Sequence, residues 1–194
     1  NADDPDSPVL SYACEADTAE TVDSMGLIRS GASAEGQETT SWRLSGLLDN
    51  TWYHLRVKAS DGLAESPWSP LVNFFVNTVN DPPTVPTLDN PSSGSGVSTF
   101  TPTLSVRNAT DLDGDVLTYD FEVYADAALT TLVTRANGVA ETPSPTAWSL
   151  PVSLTENQAY FWRARASDGT LQGEWMPIAS FLVNTANDAP GAPS

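Results

Sequence analysis

The run Asp111-Leu112-Asp113-Gly114-Asp115 sets three carboxylates at alternate positions around a glycine. In a loop, such a run can turn its oxygens onto one hard cation, and calcium takes six to eight oxygen ligands. The same residues also make a good solvated turn, because Asp caps nearby backbone N–H groups and Gly accepts left-handed dihedrals. No helical pattern flanks the run, so it is not the loop of a helix–loop–helix calcium site. Other chemistries find little material. The chain has one His (His54) and one Cys (Cys14), which leaves no internal disulfide, no cysteine-based zinc cluster and no His-based triad. Ser and Thr are plentiful, but a nucleophile without a base is only composition, and no enzyme is expected.

The elements that position these residues belong to a chain of 194 residues with a formal charge of −17. That length provides one or two domains with real cores. The acidic balance argues against nucleic acid, whose phosphates it would repel. No stretch approaches the apolar length needed to cross a membrane as a helix. No charged start followed by an apolar run is visible, as in a mature, processed chain.

Self-similarity organises the whole. Asn1-Ala2-Asp3-Asp4-Pro5-Asp6 returns as Asn108-Ala109-Thr110-Asp111-Leu112-Asp113, an offset of 107 residues from Asn1 to Asn108. Ala59-Ser60-Asp61-Gly62 returns as Ala166-Ser167-Asp168-Gly169, and Asn77-Thr78-Val79-Asn80-Asp81 as Asn184-Thr185-Ala186-Asn187-Asp188. The expected division is a first module over 1–79, a linker over 80–83, a second module over 84–186, and the start of a further unit over 187–194. The second unit runs from Pro83 to Arg107 before it reaches Asn108, whereas residue 1 already sits at the Asn108 position. The first module is therefore expected to lack its opening strands, and the chain to be an excerpt of a longer array.

Within a unit, Thr103–Val106, Val116–Val123, Trp148–Leu154, Tyr160–Ala166 and Ile178–Val183 alternate or run apolar between Pro, Gly, Asn and Asp. Short strands at this density predict an all-β sandwich. Leu47-Leu48-Asp49-Asn50-Thr51-Trp52-Tyr53-His54-Leu55-Arg56-Val57-Lys58-Ala59, repeated over Leu154–Ala166, resembles the corner and following strand of a fibronectin type III module. Its Tyr53 and Tyr160 match the tyrosine corner, in which the hydroxyl satisfies a backbone group at a strand crossing. The Asp-Gly-Asp and Asn-Asp-x-Pro punctuation resembles bacterial Ig-like and cadherin-like surface arrays. Period-two alternation turns Tyr53, Leu55, Val57 and Ala59 inward with Tyr160, Trp162, Ala164 and Ala166. It turns His54, Arg56, Lys58, Phe161, Arg163 and Arg165 outward.

The type III resemblance brings the loop after Ala166 and the linker to the same pole as the Asp run. It implies one calcium site formed by Asp111, Asp113, Asp115, Asp168, Asn80 and Asp81, stiffening the joint between units. In the first copy Asp4, Asp6 and Asp61 remain, but Ser7 and Pro8 replace Gly114 and Asp115, so that copy should bind weakly or not at all. Ser66-Pro67-Trp68-Ser69-Pro70 resembles half of a cytokine-receptor Trp-Ser box. It implies Trp68 over Arg56 and Lys58, and Trp175 over Arg163 and Arg165, as cation–π ladders rather than sugar platforms. Trp42 and Trp148 are core candidates, Trp52 is unmatched in the second copy, and Cys14 aligns with Phe121 as a buried residue.

The expected protein is a tandem of fibronectin type III-like sandwiches in a secreted or cell-surface bacterial protein. It would serve as a calcium-stiffened spacer, stalk or fibre-forming unit. Expected partners are neighbouring repeats or chains of the same protein, by donation of the missing strands. The alternative is a carbohydrate- or protein-binding accessory module of a larger extracellular enzyme or adhesin, with cell-surface polysaccharide as a ligand. Without opening strands, the first module would keep little opposite its main sheet beyond one strand near Trp42, and its inner face would need cover.

Overall fold

The structure is a computed structural model that describes residues 2–5 and 9–186. These are all-β and divide into two units, one ending at Asn80 and one beginning at Asp81.

The first unit holds β1 (Ser11–Asp17), β2 (Ile28–Ala34), β3 (Thr51–Ser60) and β4 (Val72–Val76) in one sheet of order β2-β1-β3-β4. Antiparallel register pairs Tyr12 with Ala59, Cys14 with Val57 and Ala16 with Leu55, and pairs Tyr53 with Phe74 and Leu55 with Val72. Period-two geometry puts all of these on one face. Only a small core forms there, from Leu10, Tyr12 and Ala59 with Val57 packed against it. The expected strand near Trp42 is absent: residues 35–50 form no strand. Backbone in that segment has no neighbouring strand to complete a ladder among the described residues. Cys14 is half-buried rather than buried, because the segment Thr39–Trp42 leaves a cavity of about 260 Å³ over it, lined also by Tyr12, Ser33 and Val57. Trp42 is likewise only half-buried.

The second unit is a two-layer sandwich. Its strands are β5 (Thr87–Asn90), β6 (Ser95–Val97), β7 (Thr103–Arg107), β8 (Thr118–Tyr124), β9 (Leu132–Ala140), β10 (Thr146–Ser149), β11 (Ala159–Ser167) and β12 (Ala179–Val183). One sheet has the order β10-β7-β5 and the other β6-β12-β11-β8-β9, with β6 parallel to β12. This is the strand order of a fibronectin type III-like module. Leu104 and Val106 from one layer meet Tyr119, Phe121, Val123, Tyr160, Trp162, Phe181 and Val183 from the other, all buried. Phe121 stacks on Trp162 (6.2 Å) and meets Trp148 at a tilt (5.9 Å). Burying each such large side chain contributes about 1.5–3 kcal/mol.

Alternation in β11 matches the expected faces, whereas β3 buries Tyr53 and Ala59 but leaves Leu55 and Val57 half-buried. Three other details depart from the sequence reading. Val116 lies outside the strand and is 86% exposed. β10 stops at Ser149 because Pro151 has no N–H for the ladder, although Leu150 and Leu154 stay buried and donate their N–H groups to Pro102 and Phe100. β5, β6 and β9 were not signalled. They are short or lie at a sheet edge, where residues such as Thr134, Arg135, Asn137 and Gly138 carry no apolar alternation.

Candidate metal centre

The Asp run lies in the loop from β7 to β8, and its ends are fastened before its carboxylates converge. Ala109 N–H donates to the Tyr119 hydroxyl (2.8 Å), which donates to Glu141 (3.2 Å). Burial pushes the Tyr119 phenol up to about 12, so it remains a neutral donor. Thr110 is cross-bonded to Thr84: Thr84 N–H donates to Thr110 carbonyl oxygen (2.9 Å) and Thr110 N–H to Thr84 Oγ1 (2.8 Å). Residues 81–84 are thereby fixed alongside the loop. Pro83 is buried and passes so close to Gly173 that a Cβ there would lie 2.6 Å from its carbonyl oxygen.

Inside the loop, Asp111 Oδ1 accepts from Asp113 N–H (2.9 Å) and Asp115 N–H (3.3 Å). Gly114 supplies the left-handed backbone this turn requires, with φ of 77°. Asp113 Oδ2 accepts from Asp81 N–H at 2.7 Å. Carboxylate oxygens of Asp111, Asp113 and Asp115 come within 4.8 Å of one another. Calcium–oxygen distances are about 2.3–2.6 Å, so ligands on opposite sides of one ion stand up to about 5 Å apart. The arrangement fits one such cation. Asp111 Oδ2 is a buried carboxylate oxygen with no hydrogen-bond partner, a position a cation would satisfy.

The six expected ligands are not all in this set. Asp81 joins through its backbone N–H. Asn80 belongs to the first unit. Asp168 Oδ1 accepts from Thr170 N–H and Leu171 N–H, both at 2.6 Å, and so caps its own turn. Asp61 does the same with Leu63 (2.7 Å) and Ala64 (2.6 Å), and these backbone donors hold its carboxyl below the usual range. Asp6, Ser7 and Pro8 of the first copy lie outside the described residues. Glu122 stands at the twelfth position counted from Asp111, but it lies in β8 and pairs with Arg163. Tyr119 and the Thr84–Thr110 pair went unnoticed in the sequence. The visible signal was the equal spacing Ala2–Tyr12 and Ala109–Tyr119: Ala2 N–H also donates to its tyrosine, at 2.6 Å.

The other expected contacts form in both units. Leu48 N–H donates to the Tyr53 hydroxyl (2.9 Å) and Thr155 N–H to the Tyr160 hydroxyl (3.0 Å), the two tyrosine corners. Arg56 and Lys58 lie 4.5 and 5.1 Å from the Trp68 ring centroid, and Arg163 and Arg165 lie 4.2 and 4.4 Å from that of Trp175. Behind each ladder stands a carboxylate: Glu15 accepts from Arg56 and Arg29, Glu122 from Arg163, and Asp120 from Arg165. Burial pushes the Glu15 and Glu122 carboxyls up, but their hydrogen bonds and charge partners outweigh it and hold both below the usual range. Trp68 and Trp175 are thus occupied within the fold. Trp52 is 58% exposed and tilted against Phe75 at 5.2 Å; in the same strand pair His54 Nδ1 and Asn73 Oδ1 are hydrogen-bonded at 2.8 Å.

No family model matches the chain, and no curated protein matches it. Among solved structures, it is similar to the chicken CNTN1 FN1–FN3 domains, with 14% identity and a TM-score of 0.44 over 94% of this chain. The chain spans 59% of that structure's length. It is also similar to the PKD domain of an M14-like peptidase from a Thermoplasmatales archaeon, with 20% identity and a TM-score of 0.35 over 55% of this chain and 99% of that one. The fold rests on strand order and core: the second unit is a fibronectin type III-like β-sandwich, and the first presents the equivalent of its β8–β9–β11–β12 sheet.

Proposed function

We propose that this chain is a non-catalytic structural and adhesive repeat of a large secreted or cell-surface bacterial protein, stiffened by calcium. The observation that carries the reading is the convergence of Asp111, Asp113 and Asp115 beside the backbone of Asp81, where the second unit begins. A divalent ion there would tie the entry segment to the loop and offset the mutual repulsion of three carboxylates. High negative charge keeps such a surface soluble.

The test is thermal unfolding of the chain in millimolar calcium and in excess chelator, at fixed ionic strength. Calcium at 100 times its dissociation constant adds about 2.7 kcal/mol to the unit that binds it. Asp113→Asn, which keeps an oxygen for Asp81 N–H, should abolish the rise. Equal midpoints with and without calcium would reduce the loop to a polar turn.

The exposed Trp52, backed by half-buried Phe75, favours a second reading, a carbohydrate-binding accessory module, since an indole face stacks on a sugar ring. Binding on a glycan array that Trp52→Ala removes would support it. An array with no signal for the intact chain would exclude it.

A further inference from the structure

The first unit's sheet carries on one side the residues whose counterparts form the core of the second unit. Phe74 and Val76 correspond to Phe181 and Val183, Leu55 to Trp162, and Cys14 to Phe121. All four second-unit residues are buried, and all four first-unit residues are only half-buried. Val72 is 59% exposed where Ala179 is 2% exposed. The second unit covers this face with β5 and β7, joined to β10.

The first unit retains the segment equivalent to β10, although it forms no strand there. Thr40 Oγ1 accepts from Gly36 N–H at 3.1 Å, as Thr146 Oγ1 accepts from Thr142 N–H at 3.1 Å. Trp42 therefore stands where Trp148 stands, and Thr39–Trp42 lies over Tyr12, Cys14 and Val57. In the second unit, Thr146, Ala147, Trp148 and Ser149 pair with Val106, Ser105, Leu104 and Thr103. Along the opposite side, Phe181–Val183 pairs with β6. Their counterparts Phe74–Val76 have no such parallel strand among the described residues.

We infer that the inner face of the first unit is an acceptor site for an opening segment of this same repeat. The segment enters as a β5–β7-type pair of strands, of the sequence class of residues 84–107. The second unit shows how such a segment seats: its Leu104 and Val106 positions fill the apolar face, and its Thr103–Val106 backbone pairs with residues 40–43. The occupant is a segment with the apolar pattern of residues 84–107, because in the second unit those residues cover the equivalent face. Recognition is by main-chain hydrogen bonds along an edge and by alternate apolar side chains, the general mode of strand addition. It involves no metal, so its outcome is independent of calcium binding.

Cys14, the only cysteine, reports occupancy of the face. Its alkylation rate in the full chain is measured alone, with a peptide of residues 84–107, and with the same peptide carrying Leu104→Asp and Val106→Asp. A second chain carries residues 81–107 joined ahead of Asn1, the counterpart of Asn108, which removes any dependence on peptide affinity. The expected result is alkylation slowed about tenfold or more by the unaltered peptide and in the joined chain, and unchanged by the Asp-substituted peptide. Cys14 reacting at the same rate in the joined chain as in the original would overturn the assignment. So would a dimer of the original chain in which Cys14 is protected until dilution, since a second copy would then be the occupant.

Discussion

The two units share almost every local device and differ in their cores. Each has a tyrosine corner, a Trp laid over two cations, a carboxylate behind an arginine, and a strand tyrosine that takes a backbone N–H ten residues upstream. The second buries a contiguous aromatic and aliphatic core; the first gathers Leu10, Tyr12, Ala59 and Val57. Corner and ladder bonds lie within one sheet and its own loops, so one sheet suffices to make them. Core burial needs an opposing layer, because a sheet removes apolar surface from water on only one side unless something packs there. Devices local to the sheet have therefore been kept where the core has not formed.

The comparison breaks most sharply at equivalent positions of β11 and β3. Trp162→Ala empties a fully buried site and should cost about 3–5 kcal/mol. Leu55→Ala, at the matching half-buried position, should cost about 1 kcal/mol. Amide hydrogen exchange read separately in β3 and β11 measures both, and equal losses would mean that the first sheet is covered after all. The ladders should behave oppositely, as near equals. Trp68→Ala and Trp175→Ala each remove two cation contacts, about 1–2 kcal/mol in their own unit by the same exchange measurement. A neutral Trp68→Ala beside a costly Trp175→Ala would show that the ladder depends on the core beneath it.

The acid response sharpens the comparison further, with the smallest effect. Glu15 and Glu122 have folded-state carboxyls held below their ordinary value of 4.5. The stabilisation they contribute is fully present above that value and is lost as pH falls through the lower folded value. Stability should decline below about pH 4.5 in both units. Glu15→Gln should flatten the decline in the first unit only, and Glu122→Gln in the second only. Urea unfolding between neutral and acid pH checks this, and a slope unchanged by either substitution would remove these pairs from the account.

Residues that act through their own strand's alternation could be read in advance. Tyr160, Trp162, Arg163 and Arg165 sort to two faces by period two, and the 107-residue repeat places Tyr53, Leu55, Arg56 and Lys58 beside them. β9 could not be read this way, because an edge strand with one face in water needs no apolar pattern. Cys14 was misread as buried by alignment to Phe121: the alignment locates the residue in the sheet, whereas burial depends on what lies above it. The Asp run is visible as a candidate ligand set from three residue types in five positions. The part played by Asp81 N–H, and the turn that occupies Asp168, emerge only when distant segments are folded together.

By itself, then, the sequence determined the repeat and the strand faces, because self-similarity and period-two spacing are properties of the chain. It indicated the corners and cation ladders through their resemblance to type III modules. Tertiary structure alone decided which apolar faces are buried and which carboxylates converge. Both depend on contacts between segments far apart in the chain, and neither burial nor the sharing of one cation site is a property of any single segment.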